Sequence, residues 1–153
     1  MQALVKKSDP SKHTARPFIW LRAGLAFLVL TTAVVGIWTL FAPESFFTTF
    51  PAPGHPWVAL LPPYNEHLVR DVGALNLSFT LLFTWATISL ERRLIQIILL
   101  AWLVYAIPHF TYHLNHLMHF SLFDQVEQIV SLGIVILLPL VLLILSNKVQ
   151  KQR

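Results

Sequence analysis

The chain has 153 residues, of which 56% are hydrophobic and 12% charged, with a formal charge of +4 and no cysteine. One compact unit fits that length, but a soluble domain carries about 25% charged residues, so a water-facing globule is excluded and the long apolar blocks point to a bilayer. The missing cysteines exclude disulfides, thiolate metal sites and thiol redox chemistry. The Lys and Arg residues gather beside the ends of apolar blocks, as topology signals do, so the positive balance is no sign of nucleic-acid binding.

Residues 1–17 carry Lys6, Lys7, Lys12 and Arg16 with little apolar content, and a mobile basic tail is expected there. Residues 18–41 form an apolar run about twice the usual length of a signal-peptide core, with no small-residue cleavage site after it. It is expected to be a first transmembrane helix retained as a signal anchor, with Arg22 snorkelling towards the headgroups. Pro43 ends it, because proline lacks the amide donor that a continuing helix needs. The stretch APESFFTTFPAPGHPWVALLPPY holds six of the ten prolines, no Lys or Arg, and the aromatic residues Phe46, Phe47, Phe50, Trp57 and Tyr64. Such a stretch suits an ordered loop at the membrane interface. Short amphipathic helices are expected at Glu44–Phe50 and Pro56–Leu61.

A second helix is expected over 65–90, after the Pro62-Pro63 stop. Glu91, Arg92 and Arg93 form a tight turn, and a third helix covers 94–113, kinked or leaving the hydrocarbon at Pro108. Ser121 to Gln125 read as a turn or helix start with Asp124 as the N-cap and Glu127 as its capping partner. A fourth helix covers 125–146, and residues 148–153 form a second basic tail. The expected fold is all-α: a polytopic membrane protein in which 18–147 make a four-transmembrane-helix bundle with a Pro/aromatic-rich loop between helices 1 and 2. The N-terminal tail, the turn between helices 2 and 3 and the C-terminal tail hold nearly all the positive charge. The positive-inside rule therefore places both termini in the cytoplasm, in the cell membrane.

Chemistry-bearing residues concentrate at the opposite ends of the helices. Spacings of four and three put His109, His113 and His116 on one helical face, with Tyr105 and Tyr112 beside them and His119 at the edge. The second helix opens with Asn65, Glu66, His67, Arg70 and Asp71, and carries Asn76 further on. The fourth carries Asp124, Glu127, Gln128 and Ser131 at i, i+3, i+4 and i+7. Helices joined by short loops are neighbours, so these three polar ends are expected to converge at one depth.

Three readings follow. His109, His113 and His116, helped by His67 or Glu127, would bind zinc, copper or iron, or one His from each of two helices would hold a haem. The H-x-x-x-H spacing lacks the glutamate of the zinc-protease helix. A pocket of Glu66, His67, Arg70, Asp71, Tyr105, Tyr112 and Glu127 would bind a small lipid-like ligand or move protons, with Arg70 clamping an anionic group. Finally, Glu66–Arg70 and His67–Asp71 are i, i+4 pairs that would simply neutralise each other in the headgroup layer.

The first helix ending in LFAPESFFTTFP, the aromatic loop and the second-helix opening NEHLVRDVGALNLSF resemble the DoxX-like group of small four-helix bacterial membrane proteins. Glu66, Arg70 and Gly73 match that group's acidic-x-x-x-Arg-x-x-Gly pattern, and Glu127 matches its acidic position early in the last helix. PHFTYHLNHLMH is not part of the pattern. The resemblance covers most of 18–147 and implies the four-helix fold, with quinone-linked oxidation or an accessory role in a membrane complex as the associated functions. The residues themselves favour binding of a ligand or metal, or a place beside a membrane-complex partner, over catalysis. The enzyme alternative is a membrane oxidoreductase acting on quinone or a bound metal. Gly73 is expected to let two helices approach closely.

Overall fold

The computed structural model describes residues 10–61 and 63–150, with side chains from 18 to 61 and from 63 to 147. Four long helices dominate: α1 (Pro10–Phe41), α3 (Glu66–Ser89), α4 (Arg92–Asn115) and α5 (Leu122–Gln150). The short α2 (Pro43–Thr49) and a two-stranded hairpin, β1 (Pro51–Ala52) and β2 (His55–Pro56), lie between α1 and α3. Within the long helices, Phe18–Phe41, Glu66–Ser89, Arg92–Asn115 and Leu122–Asn147 are long and apolar enough to cross a membrane. At 24 to 26 residues each spans about 36–39 Å, enough for the ~30 Å hydrocarbon core. Large apolar side chains such as Leu81, Val104 and Leu137 stand on their outer faces, 63% exposed or more. A soluble protein does not tolerate so much continuous apolar surface, and lipid covers it here. The protein is an all-α, membrane-spanning four-helix bundle.

In the bundle α1 packs chiefly on α3 and α4 on α5, with smaller α1–α5 and α3–α4 seams closing the ring. The buried face of α1 reads Leu21, Leu25, Leu28, Thr32, Gly36 and Thr39, in steps of four and three. Glycine is what lets α3 come close. A Cβ on Gly73 would lie 2.7 Å from the Leu40 backbone nitrogen, and one on Gly36 would lie 3.0 Å from that of Leu77. One turn beyond the Gly36 contact, Thr80 donates to Thr32 across the seam at 2.9 Å. Close backbones and hydroxyl bonds are the means by which helices associate where lipid removes the hydrophobic drive.

The α4–α5 seam is held differently. Pro139 lies inside α5 and has no N–H to give the carbonyl four residues back, that of Val135. Trp102 of α4 donates its Nε1–H to that oxygen at 3.1 Å. A backbone acceptor that would be stranded in hydrocarbon is thereby satisfied. At the end of the bundle that carries the chain termini, Arg92 and Gln96 donate to Asn147 at 2.5 and 3.0 Å. Arg22 donates to the Thr87 carbonyl at 3.2 Å, so it ties α1 to α3 as well as lying exposed.

Several boundaries differ from those read in the sequence. The helix of the first span already runs from Pro10, so residues 10–17 extend it and are not tail. α2 occupies the first expected loop helix, but Pro56–Leu61 is extended and turn, not helix. A Pro53-Gly54 turn, with Gly54 at φ +89°, reverses the chain there; Pro then positive-φ Gly is the type II signature. α4 continues through Pro108 to Asn115. α5 starts three residues early because Ser121, not Asp124, caps it: the Ser121 hydroxyl accepts from the Asp124 N–H at 3.2 Å and donates to its Oδ2 at 2.5 Å.

Candidate functional site

The loop end of the bundle gathers the C-termini of α1 and α4, the N-termini of α3 and α5, and the hairpin. Asn65 caps α3 by accepting from the Leu68 N–H at 3.1 Å. One turn later Arg70 donates to Glu66 at 2.8 Å and to the Leu40 carbonyl. Pro43 has interrupted the α1 ladder there, and the guanidinium serves one of its last carbonyls. His67 and Asp71 pair at 3.1 Å with side chains 85% and 64% exposed. Glu66, His67, Arg70 and Asp71 thus close on themselves and on α1, and are not gathered around the α4 histidines. Arg70 thereby ties Glu66 and the end of α1 together.

On α4 the expected face separates into two columns. Tyr105 stacks on His109 at 5.4 Å and His109 meets His113 edge-on at 4.8 Å. Tyr112 stacks on His116 at 4.1 Å, and His116 on His119 at 6.3 Å. His116 uses its Nδ1 to hold the Tyr112 carbonyl at 2.7 Å, capping the end of α4. The first column turns inward. His113 is 7% exposed, and its Nδ1 lies 2.7 Å from Oε1 of Gln128 on α5. Asn76 of α3, itself buried, lies within reach of the Tyr105 hydroxyl.

The metal expectation is not met by these positions. Among the described residues no three His, Cys, Asp or Glu side chains are placed to share an ion. His109 and His116 stack on Tyr105 and Tyr112, and His113 and His116 turn Nδ1 to Gln128 and the Tyr112 carbonyl instead of to a common point. His67, a second axial imidazole for a two-helix haem, stands exposed with its ring on Asp71. Glu127 is half-buried, and no hydrogen bond or ion pair links its carboxylate to the histidines among the described residues.

What the sequence reading missed is the role of the hairpin. His55 Nδ1 lies 2.7 Å from Asp124 Oδ1, and Trp57 donates to the same oxygen at 3.2 Å. With Ser121 on Oδ2, Asp124 is bonded on both oxygens. Trp57 also joins Phe50, Phe46 and Trp38 in a run of ring contacts at 4.5 to 6.0 Å. The Ser121–Asp124–His55 group is not a hydrolytic triad, since the carboxylate stands between the hydroxyl and the imidazole, and the serine faces that carboxylate instead of the His55 ring. It is a clasp that fastens the loop to the first turn of α5. The stripe Asp124, Gln128 was visible in the sequence; its partner His55, 69 residues away, had no periodic signal.

Gln128 is the anomaly. It is completely buried, its oxygen serves His113, and its Nε2 has no partner. A buried amide donor left unpaired costs about 1–3 kcal/mol, and in native proteins such a group marks a functional position or an absent partner. Matches outside this chain do not bear on the question: no family model, no curated protein and no solved structure matches it.

Proposed function

We propose that this is a multi-pass protein of the cell membrane, both termini cytoplasmic, that binds a small lipid-like ligand in the polar interior at its outward end. The carrying observation is the unpaired Gln128 amide, buried beside His113 and at the end of the Tyr105–His109–His113 column. A set of polar groups inside an apolar bundle, short of one hydrogen-bond partner, suits a ligand that supplies it. The orientation follows from the positive charge at the terminal end of the bundle. The likeness to the DoxX-like group is part of the same proposal. Glu66, Arg70 and Gly73, which carry it, act in this chain at the α1–α3 seam, as an ion pair, a cap on α1 and a point of close approach.

The test exploits the absence of native cysteine. Single cysteines at Ser121 and at Arg93, probed in intact cells with a membrane-impermeant maleimide, should react at Ser121 only. Lipids co-purifying with wild type and with Gln128→Leu are then compared by mass spectrometry, and a species present in the first and missing in the second is expected. Identical lipid profiles would remove the ligand reading.

A second reading, an accessory place in a membrane complex, is favoured by α5. Its apolar window is 17% buried against 28–33% for the other three, which leaves the widest face for another protein. Recovery with a larger assembly in mild detergent, lost on placing Trp residues along that face, would support it.

A further inference from the structure

We infer that the guanidinium of Arg22 holds the phosphate of one anionic phospholipid at the terminal end of the α1–α3 seam. The inference concerns the end of the bundle opposite Gln128 and stands apart from the ligand reading there.

Arg22 is more than a side chain free to snorkel. α3 ends at Ser89, and its C-cap Leu90 takes the left-handed conformation at φ 48°. The Glu91 N–H, which a continuing helix would bring to the Thr87 carbonyl, meets the Ser89 hydroxyl instead at 3.4 Å. Arg22 serves that carbonyl from α1 with its Nε–H at 3.2 Å. The contact uses one of the five guanidinium donors and anchors the group on α3. The two Nη groups keep the paired N–H bonds that fit a phosphate with two parallel contacts. No ion pair reaches Arg22 among the described residues, and it is exposed. Both helices set the level of this group. Arg22 is the fifth residue of the span Phe18–Phe41, and Thr87 lies two residues before the end of the span Glu66–Ser89. The Arg22 Cα is therefore about 6 Å along α1 from Phe18, and a long side chain from there reaches the headgroup layer.

The surrounding charge selects the lipid. Apart from Arg70, the 11 Lys and Arg all fall before residue 23, in the 91–93 turn or after residue 147. Of the 7 acidic residues only Asp9 and Glu91 share those stretches. A lipid of net negative charge is attracted to such an end, and a zwitterionic one is not. The tails have apolar surface to lie on. Ala26 and Leu30, one and two turns beyond Arg22 on the same face of α1, are exposed. On α3, Trp85 and Ile88 are 63% and 68% exposed. Free phosphate would gain nothing from these side chains, so the occupant is a lipid.

The full chain is placed in nanodiscs of equal parts phosphatidylglycerol and phosphatidylcholine with matched tails. Lipids that stay on the chain after ejection are counted by native mass spectrometry. One phosphatidylglycerol per chain is expected, at least about fivefold over phosphatidylcholine, the enrichment that one basic side chain gives at an anionic surface. Arg22→Gln should abolish that preference. Arg93→Gln, which removes an exposed cation at the same end, should leave it. A preference that survives Arg22→Gln, or that falls equally in Arg93→Gln, overturns the site in favour of diffuse attraction. Arg22→Gln also uncovers the Thr87 carbonyl, so the wild type supplies a second readout. Its melting temperature in neutral detergent should rise with dioctanoyl phosphatidylglycerol, and not with dioctanoyl phosphatidylcholine or inorganic phosphate. An equal rise with inorganic phosphate overturns the lipid assignment, and no rise with phosphatidylglycerol overturns the site.

Discussion

The two halves of the bundle are built on opposite principles. Towards the termini the interior is Leu21, Leu25, Leu28, Phe83, Ala86, Ile95, Ile98, Leu99 and Leu142, an apolar core with Ser146 as its main polar member. Towards the loops the buried residues include Thr32, Thr39, Asn76, His113, Asp124 and Gln128. A bilayer-spanning bundle gains little from burying leucine, because lipid is as apolar as its core. The terminal half is therefore held by shape. The loop half is held by bonds that water cannot compete for, and it is the half that tolerates an unfinished one.

The comparison breaks most sharply at glycines. Gly73→Leu in the loop half meets backbone, and loss of about 3 kcal/mol or of folded protein is expected in detergent unfolding. Gly24→Ala in the terminal half meets the far ends of the flexible Leu142 and Leu138 side chains, at 2.5 and 3.3 Å. It should cost less than about 1 kcal/mol. Equal effects would show that seam geometry is not what separates the halves.

Next is Trp102, which stands at the boundary. Trp102→Phe strands the Val135 carbonyl and should cost about 1–2 kcal/mol beyond its packing. In a Pro139→Ala background the restored N–H takes that carbonyl, so the same change should cost measurably less. A double-mutant cycle with no coupling would dismiss the proline account.

Asp124→Asn tests the clasp. It removes a charge-assisted acceptor from His55, and about 1 kcal/mol is expected. The specific readout is faster proteolysis of the 51–57 hairpin with the bundle's melting little changed. The smallest effect belongs to His67→Ala. Its pair with Asp71 is exposed, and less than about 0.5 kcal/mol should be lost. A large loss would return His67 to a buried role.

Much of this was legible beforehand. The lengths of the apolar blocks and the prolines between them gave four spans, all within a few residues except at Pro10, where a helix continues into charged sequence. Glu66–Arg70 and His67–Asp71 were legible as pairs because i, i+4 contacts are local. That they face away from α4 was not, because a helix apolar on every side does not reveal which face is inward. The capping box was misplaced by three residues because Ser121-x-x-Asp124 and Asp124-x-x-Glu127 fit the same template. The face expected to hold His109, His113 and His116 splits into two columns, with His116 apart from the other two, because rings four apart stack on tyrosines as readily as they chelate. The clasp and the Gln128–His113 contact depend on the path of a proline-rich loop and on the α4–α5 register, which no local pattern encodes.

The clasp also orders events in time. His55 and Trp57 belong to a loop that emerges from the ribosome after the first span, yet the carboxylate that seats them belongs to the fourth. The hairpin must wait, undocked, while two more helices are threaded into the bilayer, and it closes only when the last one arrives. A chain stopped before Asp124 would carry its aromatic loop without a seat, and arrival of the fourth helix would be registered as the fastening of that loop.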